Sequence, residues 1–249
     1  MMGSKRIEGS VALVTGANRG IGRAITDALL ARGAKKVYAT ARDPQALEAL
    51  TQRHGSRIVA LRLDVTNADQ VAEVARRATD VDLLINNAGA FQPTELTDAA
   101  IVDVARREME VNYFGALRML RSFADTLAQR GGVIVNVGSA AGLTNVPLQP
   151  TYSASKAAQH SLTQASRALL AARGVTVYGV YPGPVDTDMT SQLPPQFAKT
   201  PPQEVANEVL DGVEAGDEDI FPDPFAVAFG EQFHASPKAA ERQAAALVG

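Results

Sequence analysis

The stretch that decides the fold lies near the N-terminus and reads Val11-Ala12-Leu13-Val14-Thr15-Gly16-Ala17-Asn18-Arg19-Gly20-Ile21-Gly22. Its apolar first part predicts a buried strand, and the glycines after it predict a tight turn into a helix. Glycines in such a turn let the backbone approach a pyrophosphate, and the helix N-terminus adds N–H groups and the positive end of a dipole. The spacing is Gly-x-x-x-Gly-x-Gly rather than Gly-x-Gly-x-x-Gly, but its place directly after a strand still predicts dinucleotide binding.

Short apolar runs alternate with longer helical patterns along the rest of the chain. The sequence predicts strands at 10–14, 36–40, 58–63, 82–85, 133–137, 175–180 and 219–221. It predicts helices near 21–32, 44–54, 67–79, 98–129, 151–173 and 202–215. Strands separated by helices are typical of right-handed βαβ units in a parallel sheet. We therefore predict an α/β fold: a single doubly wound, Rossmann-type domain over 1–249, with a seven-stranded parallel sheet flanked by helices on both faces.

Two segments depart from this alternation. Residues 182–202 are rich in proline, which excludes a long regular helix or an inner strand there. We interpret 187–202 as a substrate-side flap, with an ordinary surface loop as the alternative. The segment 223–249 is a C-terminal extension in which Phe225, Phe229 and Phe233 recur at helical spacing. Such a stripe predicts a helix docked on the core or on a second subunit.

The composition excludes several classes of protein. A net charge of −3 argues against a surface for nucleic acid or anionic membranes, and no run approaches the roughly 18 apolar residues that span a bilayer. The absence of cysteine excludes disulfides and thiol catalysis and suits a reducing cytoplasm. His54, His160 and His234 lack metal-ligand spacing. We expect a cytoplasmic protein without a metal, acting on a small molecule.

The end of the second predicted strand indicates which dinucleotide binds. A NAD-selective site would place an acid there for the ribose 2′-hydroxyl, but this chain has Ala41 and Arg42. Arg42 is able to form charge-assisted bonds with a 2′-phosphate, and Arg19 is able to stack over the adenine or reach the same phosphate. Asp43 lies at about the distance expected of the acid in a NAD site, which favours NAD. Its place before Pro44, however, is more typical of a helix N-cap. The sequence therefore predicts NADP(H).

A pair of residues on the helix predicted at 151–173 indicates proton chemistry. Tyr152 and Lys156 are four residues apart, so they lie on one helix face. An ammonium beside a phenol stabilises the phenolate, so we expect Lys156 to lower the pKa of Tyr152. Ser139 follows the fifth predicted strand, and the carboxyl ends of parallel strands are where ligands bind. Ser139 is not in a Gly-x-Ser-x-Gly hydrolase elbow and has no histidine placed as its base, which argues against a serine hydrolase.

Several motifs occur together and in order. They are Thr15-Gly16-x-x-x-Gly20-x-Gly22, Asp64-Val65, Asn86-Asn87-Ala88-Gly89, Asn112, Ser139, Tyr152-x-x-x-Lys156 and Pro182-Gly183-x-Val185-x-Thr187. With them the chain resembles the short-chain dehydrogenase/reductase family over essentially its whole length. The run Thr40-Ala41-Arg42-Asp43 is most similar to the NADPH-dependent carbonyl reductases of that family.

The resemblance implies a role for each matching residue. Tyr152 would be the general acid or base, Ser139 would hold the substrate oxygen, and Lys156 would bind the nicotinamide ribose. Asn112 would anchor a water that links Lys156 to solvent, with a helix kink or C-cap as the alternative. The implied cofactor residues are Gly16, Asn18, Arg19, Gly20, Ile21, Gly22, Thr40, Arg42, Asp64, Val65, Asn86, Ala88, Gly89, Tyr152, Lys156, Pro182, Gly183, Val185 and Thr187.

The substrate pocket is predicted by position. Its expected residues are Ser139, Ala140, Ala141, Asn145, Tyr152, Gly183, Met189 and Leu193, with Phe91, Pro147 and Phe197 also near. This lining is mainly apolar, so we expect a small hydrophobic ketone or aldehyde, or the corresponding alcohol, as substrate. The alternatives are a reductase of a 3-oxoacyl thioester and a non-catalytic NADP(H)-binding sensor or scaffold. The long helices at 98–129 and 151–173 resemble the family's subunit-packing pair, which implies a homodimer or homotetramer.

Overall fold

The strands of the computed structural model follow the predicted runs to within one residue at each end. They are β1 Val11–Val14, β2 Lys36–Ala41, β3 Ile58–Arg62, β4 Leu83–Asn86, β5 Val133–Val137, β6 Thr176–Val180 and β7 Asp219–Ile220. The structure describes residues 6–191, 193 and 197–246. All neighbouring strands pair in parallel, in the order β3-β2-β1-β4-β5-β6-β7. The order reverses between β1 and β4, and an open sheet of this kind binds ligands beyond that point.

The helices lie on both faces of the sheet. They are α1 Gly20–Ala31, α2 Glu48–His54, α3 Ala68–Arg77, α4 Ile101–Met109, α5 Ala116–Ala128, α6 Pro150–Ala171, α7 Pro202–Ala215, α8 Pro224–Ala235 and α9 Pro237–Ala245. One buried cluster joins the sheet to α1 and α7, and a second joins its other face to α3, α5 and α6. The predicted fold class, a parallel sheet covered on both faces, is confirmed.

Local sequence sets where several helices begin. Proline stands in the first turn of α6, α7, α8 and α9, where its missing N–H leaves no bond unmade and its fixed φ suits the helix. Asp43 caps the short turn Pro44–Leu47 before α2, with its Oδ1 accepting from the Gln45 amide at 3.0 Å. The interpretation of Asp43 as an N-cap is therefore confirmed.

Two predicted segments have more internal structure than their patterns indicate. The helix predicted at 98–129 is α4 and α5 joined by a π-helical segment, Glu110–Gly115. Such segments are rare and often occur at functional sites. In the predicted flap, Asp188–Thr190 forms a 3₁₀ turn and Val185 pairs with Thr200. Residues 192 and 194–196 of the flap lie outside the described part of the chain.

The C-terminal extension forms α8 and α9. Phe229 of α8 is buried, and its ring stacks on that of Phe225 with centroids 5.8 Å apart. Phe225 itself remains exposed over 40% of its surface. The aromatic stripe therefore docks on the protein through Phe229. The description of 1–249 as one domain with a flap and an extension stays a prediction.

Candidate active site

The glycine turn after β1 has the geometry that close approach to a phosphate requires. Gly16 and Gly20 adopt φ of +66° and +53°, a left-handed conformation that suits glycine, and α1 begins at Gly20. A Cβ on Gly22 would overlap the Gly16 carbonyl and the Asn87 side chain. The backbone is therefore packed against the end of β4 with no room for a side chain, and the first amides of α1 are left to face a ligand.

Asn87 holds this turn in place, a role that its position in a motif does not reveal. Its Nδ2 donates to the carbonyl oxygens of Thr15 at 2.8 Å and Gly16 at 3.2 Å, and its backbone amide donates to Thr15 Oγ1 at 2.9 Å. Asn87 lies inside the Asn-Asn-Ala-Gly motif, so a signal for it is present in the sequence, although it is absent from the predicted site. Bonds between the ends of β1 and β4 fix the turn at the point where the strand order reverses.

A cavity of about 790 Å³ runs along the carboxyl ends of the strands. It brings together most residues of the predicted cofactor site: Gly16, Asn18, Arg19, Gly20, Ile21, Gly22, Arg42, Asp64, Val65, Ala88, Gly89, Tyr152, Lys156 and Thr187. The structure thus assembles in one cleft residues that are up to 171 positions apart in the chain.

Other predicted cofactor residues lie behind this surface. Thr40 is fully buried and its hydroxyl donates to the Val14 carbonyl at 3.1 Å. Asn86 is buried too, and its Nδ2 donates to Asn136 Oδ1 at 2.9 Å. Both side chains are used inside the sheet and neither residue is in the cavity lining, so contact of Thr40 or Asn86 with a cofactor stays a prediction. Within the described chain, Pro182, Gly183 and Val185 also fall outside the cavity lining.

The adenine end of the cleft carries charged side chains on two loops. Burial would raise the pKa of Asp64, but hydrogen bonds from Thr66 and the positive charge of Arg42 outweigh it and lower that pKa. Arg42 is exposed at the edge of the cavity. Arg19 forms an ion pair with Asp188 at 2.9 Å, which connects the glycine turn to the 3₁₀ turn after β6. Arg19 is therefore held at the cleft mouth by the segment predicted to be a flap.

Tyr152 lies near the start of α6 and faces the cavity. Its ring meets Phe91 edge-on with centroids 5.2 Å apart. Burial raises the pKa of Tyr152 to about 12, a hydrogen bond with Ser139 partly offsets that rise, and the charge of Glu108 adds to it. The sequence predicts that Lys156 lowers this pKa. The net shift of the Tyr152 pKa is upward, because loss of solvent around the hydroxyl dominates, and the effect of Lys156 on this pKa stays a prediction.

Lys156 is buried one turn further along α6. Its Nζ donates to the Val137 carbonyl and to Gln159 Oε1, both at 2.9 Å, and it lies 5.8 Å from the centre of the Tyr152 ring. Burial lowers the pKa of Lys156 to about 7. The two predicted proton carriers therefore share a cavity wall, while the ammonium has partners of its own.

Ser139 and Asn112 approach this pair from two other elements. Ser139 caps the short turn Ala140–Gly142, and its Oγ accepts from the Ala141 amide at 3.2 Å. Asn112 lies in the π-helical segment and is fully buried. Its Oδ1 accepts from the Ala90 amide at 2.8 Å, and its Nδ2 donates to the Ala90 carbonyl at 2.9 Å and to Ser155 Oγ at 2.8 Å. The Asn112 side chain therefore ties the loop after β4 to α6.

The substrate end of the cavity is more polar than predicted. Phe91, Met189 and Tyr152 line it as expected, but Glu108 and Arg107 of α4 line it as well. No motif points to Glu108, because a glutamate in an amphipathic helix is usually on the solvent face. In contrast, Ala140 and Ala141 are buried, and Asn145 is exposed with its Nδ2 donating to the Pro150 carbonyl. Five more of the described residues that were predicted for the pocket do not line the cavity: Ser139, Pro147, Gly183, Leu193 and Phe197.

Two other kinds of feature are absent from the described residues. Among them no group of three or more histidine, aspartate or glutamate side chains is placed to hold a metal ion. Within the same residues, no helix combines the length and the apolar character needed to cross a membrane.

Comparison with known proteins identifies the family. A family model described as short chain dehydrogenase matches residues 10–197, which include the glycine turn, Ser139, Tyr152 and Lys156. The chain belongs to the short-chain dehydrogenase family. It is therefore an oxidoreductase of the short-chain dehydrogenase type, and the sequence resemblance is confirmed at this level. The closer similarity to carbonyl reductases stays a prediction.

Similar proteins cover between 74% and 96% of this chain. A short chain dehydrogenase from Burkholderia cenocepacia J2315, solved in complex with NADP, is 41% identical with a TM-score of 0.90, covering 96% of this chain and 99% of that one. The 3-oxoacyl-[acyl-carrier-protein] reductase FabG of Vibrio cholerae is 36% identical over 243 residues, 94% of this chain and 93% of the relative. A 3-oxoacyl-[acyl-carrier-protein] reductase of Synechocystis sp. is 37% identical over 191 residues, 74% and 77% of the two chains.

Proposed function

We propose that this short-chain dehydrogenase transfers hydride between NADP(H) and a small, mainly hydrophobic ketone or aldehyde, or the corresponding alcohol. The observation that carries the proposal is the shared cavity. Tyr152 and Lys156 line it together with Arg42 and residues of the glycine turn. A hydride donor held along this cleft would meet a proton donor where the strands end.

The residues of the cleft fit an NADP(H) cofactor. Because Gly22 has no side chain, its backbone packs directly against the Gly16 carbonyl and the Asn87 side chain. The N–H groups at the start of α1 are then available to a pyrophosphate. Arg42 stands where a NAD-selective site has an acid, and the charge of Arg19 is close by at the cleft mouth. The Burkholderia relative, solved with NADP, supports the same choice. When bound, NADPH supplies the hydride.

Tyr152 serves as the proton donor in this scheme. It gives its phenol proton to the carbonyl oxygen as the hydride reaches the carbon, and it takes that proton back when an alcohol is oxidised. Ser139, which hydrogen-bonds Tyr152, holds the same oxygen and orients it. A phenol with a pKa of about 12 is protonated at neutral pH, which is the form that reduction needs.

Lys156 and Asn112 complete the proton path. Lys156 holds the ribose hydroxyls of the cofactor, and with a pKa of about 7 it gains and loses a proton readily near neutral pH. Both amide hydrogens and the Oδ1 of Asn112 already have partners. A water that links Lys156 to solvent would therefore bind the backbone carbonyl of Asn112, in the π-helical segment where helical hydrogen bonding is irregular.

A 3-oxoacyl thioester is the second candidate substrate. The relatives from Vibrio cholerae and Synechocystis are named as reductases of such carrier-bound thioesters, and both are more than a third identical to this chain. Against it, the described part of the predicted flap contributes one basic residue, Lys199, which is little for a phosphopantetheine arm. Arg19 and Arg107 are further basic side chains in the cavity lining, and each has an acidic residue beside it, Asp188 and Glu108. We rank a free carbonyl compound first.

The enzyme is also expected to be a homodimer or homotetramer. Apolar side chains remain exposed on the helices predicted to pack between subunits: Leu169 of α6 is 74% exposed, and Val102 of α4 and Phe114 of the π-helical segment are exposed as well. Exposed apolar surface of this kind often marks a contact between proteins, because association removes it from water. Light scattering at micromolar concentration tests the expectation, and a monomer would contradict it.

The function is tested by NADPH oxidation against aryl ketones, keto esters, steroids, quinones and 3-oxoacyl thioesters, with Tyr152→Phe as the control. We expect turnover of a free hydrophobic carbonyl compound, lost in the variant, which should still bind NADPH. Faster turnover of the thioesters would favour the second candidate. Tight NADPH binding without turnover of any compound would instead indicate a sensor or scaffold.

A further inference from the structure

Glu108 is a buried carboxyl group in the wall of the active-site cavity. It lies on α4, one turn before Asn112, and only 1% of its surface is exposed. Its Oε1 accepts from the Gln92 amide at 2.9 Å. Its Oε2 is enclosed and lacks a well-oriented hydrogen-bond partner among the described residues. Enclosing a carboxylate oxygen in this way costs free energy, so the position calls for an explanation beyond packing.

The surroundings of Glu108 connect it to Tyr152 from two sides. Glu108 accepts a hydrogen bond from the backbone amide of Gln92, the residue after Phe91. The Phe91 ring packs edge-on against the Tyr152 ring, with centroids 5.2 Å apart. On the other side, Thr151 precedes Tyr152 at the start of α6, and the interaction of its side chain with the Glu108 carboxyl lowers the pKa of that carboxyl. One carboxyl group therefore contacts both segments that flank the phenol.

Glu108 also interacts with Tyr152 through its charge. From α6, Tyr152 and Lys156 line the same cavity. Arg107 of α4 and Glu110 of the π-helical segment line it as well. The segment 89–94 contributes no titratable side chain. Burial raises the pKa of Glu108, while Thr151 and the Gln92 amide lower it, and its negative charge raises the pKa of Tyr152. Two like charges close together in a site with little water cannot both form easily.

We propose that Glu108 is a positioning residue for Tyr152: its carboxyl fixes the Phe91–Gln92 segment against the phenol and places a negative charge in the wall of the same cavity. This proposal rests on the role of Tyr152 in the proposed function. In reduction the phenol O–H bond breaks, its proton passes to the carbonyl oxygen, and hydride from NADPH adds to the carbon to give an alcohol, a phenolate and NADP⁺. Oxidation needs the phenolate first. A negative charge in this wall disfavours the phenolate, so Glu108 holds Tyr152 in the form that reduction uses and raises the pH at which oxidation begins.

The test compares Glu108→Gln with the wild type and with Asp103→Asn. Glutamine keeps the shape and the acceptor for the Gln92 amide but removes the charge. Asp103 is on the same helix with its side chain 84% exposed, so its variant controls for a general change in charge. Alcohol oxidation by NADP⁺ is followed as a function of pH. We expect Glu108→Gln to move the basic activation of oxidation to lower pH by roughly 0.5 to 1 unit, and Asp103→Asn to leave it in place. A second variant, Glu108→Met, also removes the charge and should shift the profile in the same direction.

A second measurement does not depend on turnover. With ¹³C-labelled tyrosine, NMR follows the ionisation of Tyr152, which is assigned by its loss in Tyr152→Phe. Ionisation should begin at lower pH in Glu108→Gln than in the wild type. Superimposable titrations in the two proteins would overturn the proposal, whatever the turnover. If the wild type turned over no carbonyl compound but the titration still shifted, the coupling would stand and the proposed function would fail.

Discussion

Lys156 donates a hydrogen bond from Nζ to the backbone carbonyl of Val137 at 2.9 Å, so the first half of α6 is tied to the last residue of β5. A second bond goes to Gln159 Oε1 on the next turn. These two partners accept hydrogen bonds from two of the three N–H groups of the ammonium. Because the group is buried, its pKa nevertheless falls to about 7. A buried base of this kind ties the stability of the fold to pH.

The first prediction concerns this dependence on pH. The pKa of Lys156 is about 7 in the folded protein against 10.5 for an unperturbed lysine, so between these values the unfolded chain binds more protons. Stability should therefore rise with pH across this window, by up to about 1.4 kcal/mol per unit. Replacing Lys156 with methionine should remove that slope. Urea unfolding from about pH 6.5 to about pH 9.5, without added cofactor, measures it.

The matched control for this experiment is Lys238→Met. Lys238 is on the exposed side of α9 and pairs with Glu241 at 2.7 Å, so its charge is solvated in both states. Its variant should follow the wild-type curve. If Lys156→Met and the wild type ran parallel over the whole range, the lowered pKa would be refuted.

The second prediction concerns the choice of cofactor. Replacing Arg42 with aspartate removes the cation proposed to pair with a 2′-phosphate and adds an anion near Asp64, whose pKa Arg42 lowers. A charge-assisted contact contributes about 1.5–3 kcal/mol, so the Michaelis constant for NADPH should rise at least about tenfold. The constant for NADH should stay level or fall. Initial rates with both cofactors test this, with Arg130→Asp on the exposed loop before β5 as the control. Undiminished use of NADPH by the Arg42 variant would show that the assignment is wrong.

The third prediction concerns the glycine turn. A methyl group at Gly22 would overlap the Gly16 carbonyl and the Asn87 side chain, so Gly22→Ala must move the turn away from β4. We expect loss of most NADPH affinity together with a lower melting temperature. Gly131 is a useful contrast, since it has a positive φ of +56° but nothing within 4 Å of where a methyl group would lie. Its alanine variant should lose about 1 kcal/mol of stability and keep its affinity for NADPH. Equal affinities in both variants, measured by fluorescence titration, would contradict this.

The fold was predictable because its signals are local and repeated. Apolar strands such as Val133–Val137 are buried on both faces, and turn signals bound each of them. The glycine turn and Tyr152 were predictable because each belongs to a motif with short spacing, which is visible within one stretch of chain. Their meeting in one cavity follows from the parallel topology, which brings the strand ends to one edge.

The features that the sequence did not predict depend on contacts between distant residues. The burial of Glu108 cannot be read from its helix, because the element that covers it, the segment after β4, is 16 residues away. The raised pKa of Tyr152 likewise follows from loss of solvent, which no spacing records. The side chains of Thr40 and Asn86 stand at the predicted edge, but their orientation into the sheet is set by partners on neighbouring strands.

The last prediction concerns Asp223, which joins the C-terminal extension to the site. Its Oδ2 accepts from the Gly183 amide and its Oδ1 from the Ala226 amide, both at 2.8 Å, so one buried side chain caps α8 and holds the segment after β6. Phe225 packs against Gly183 beside Asp223: a Cβ on Gly183 would lie 2.6 Å from Phe225 Cδ1 and 2.7 Å from Asp223 Oδ1. Asp223→Ala should cost about 2–4 kcal/mol of stability, because two buried amides lose a charged acceptor. It should also raise the Michaelis constant for the carbonyl substrate, since the segment beside Ser139 is released.

The control for this variant is Ser236→Ala, which removes the N-cap of α9. Ser236 Oγ accepts from the Ala239 amide at 3.2 Å, and its loss should cost about 1 kcal/mol. Because Ser236 and Ala239 are not among the residues that line the cavity, this substitution should leave the Michaelis constant unchanged. Thermal unfolding and steady-state kinetics on both variants separate the two effects, and a Michaelis constant unaffected by Asp223→Ala would confine the role of Asp223 to capping α8.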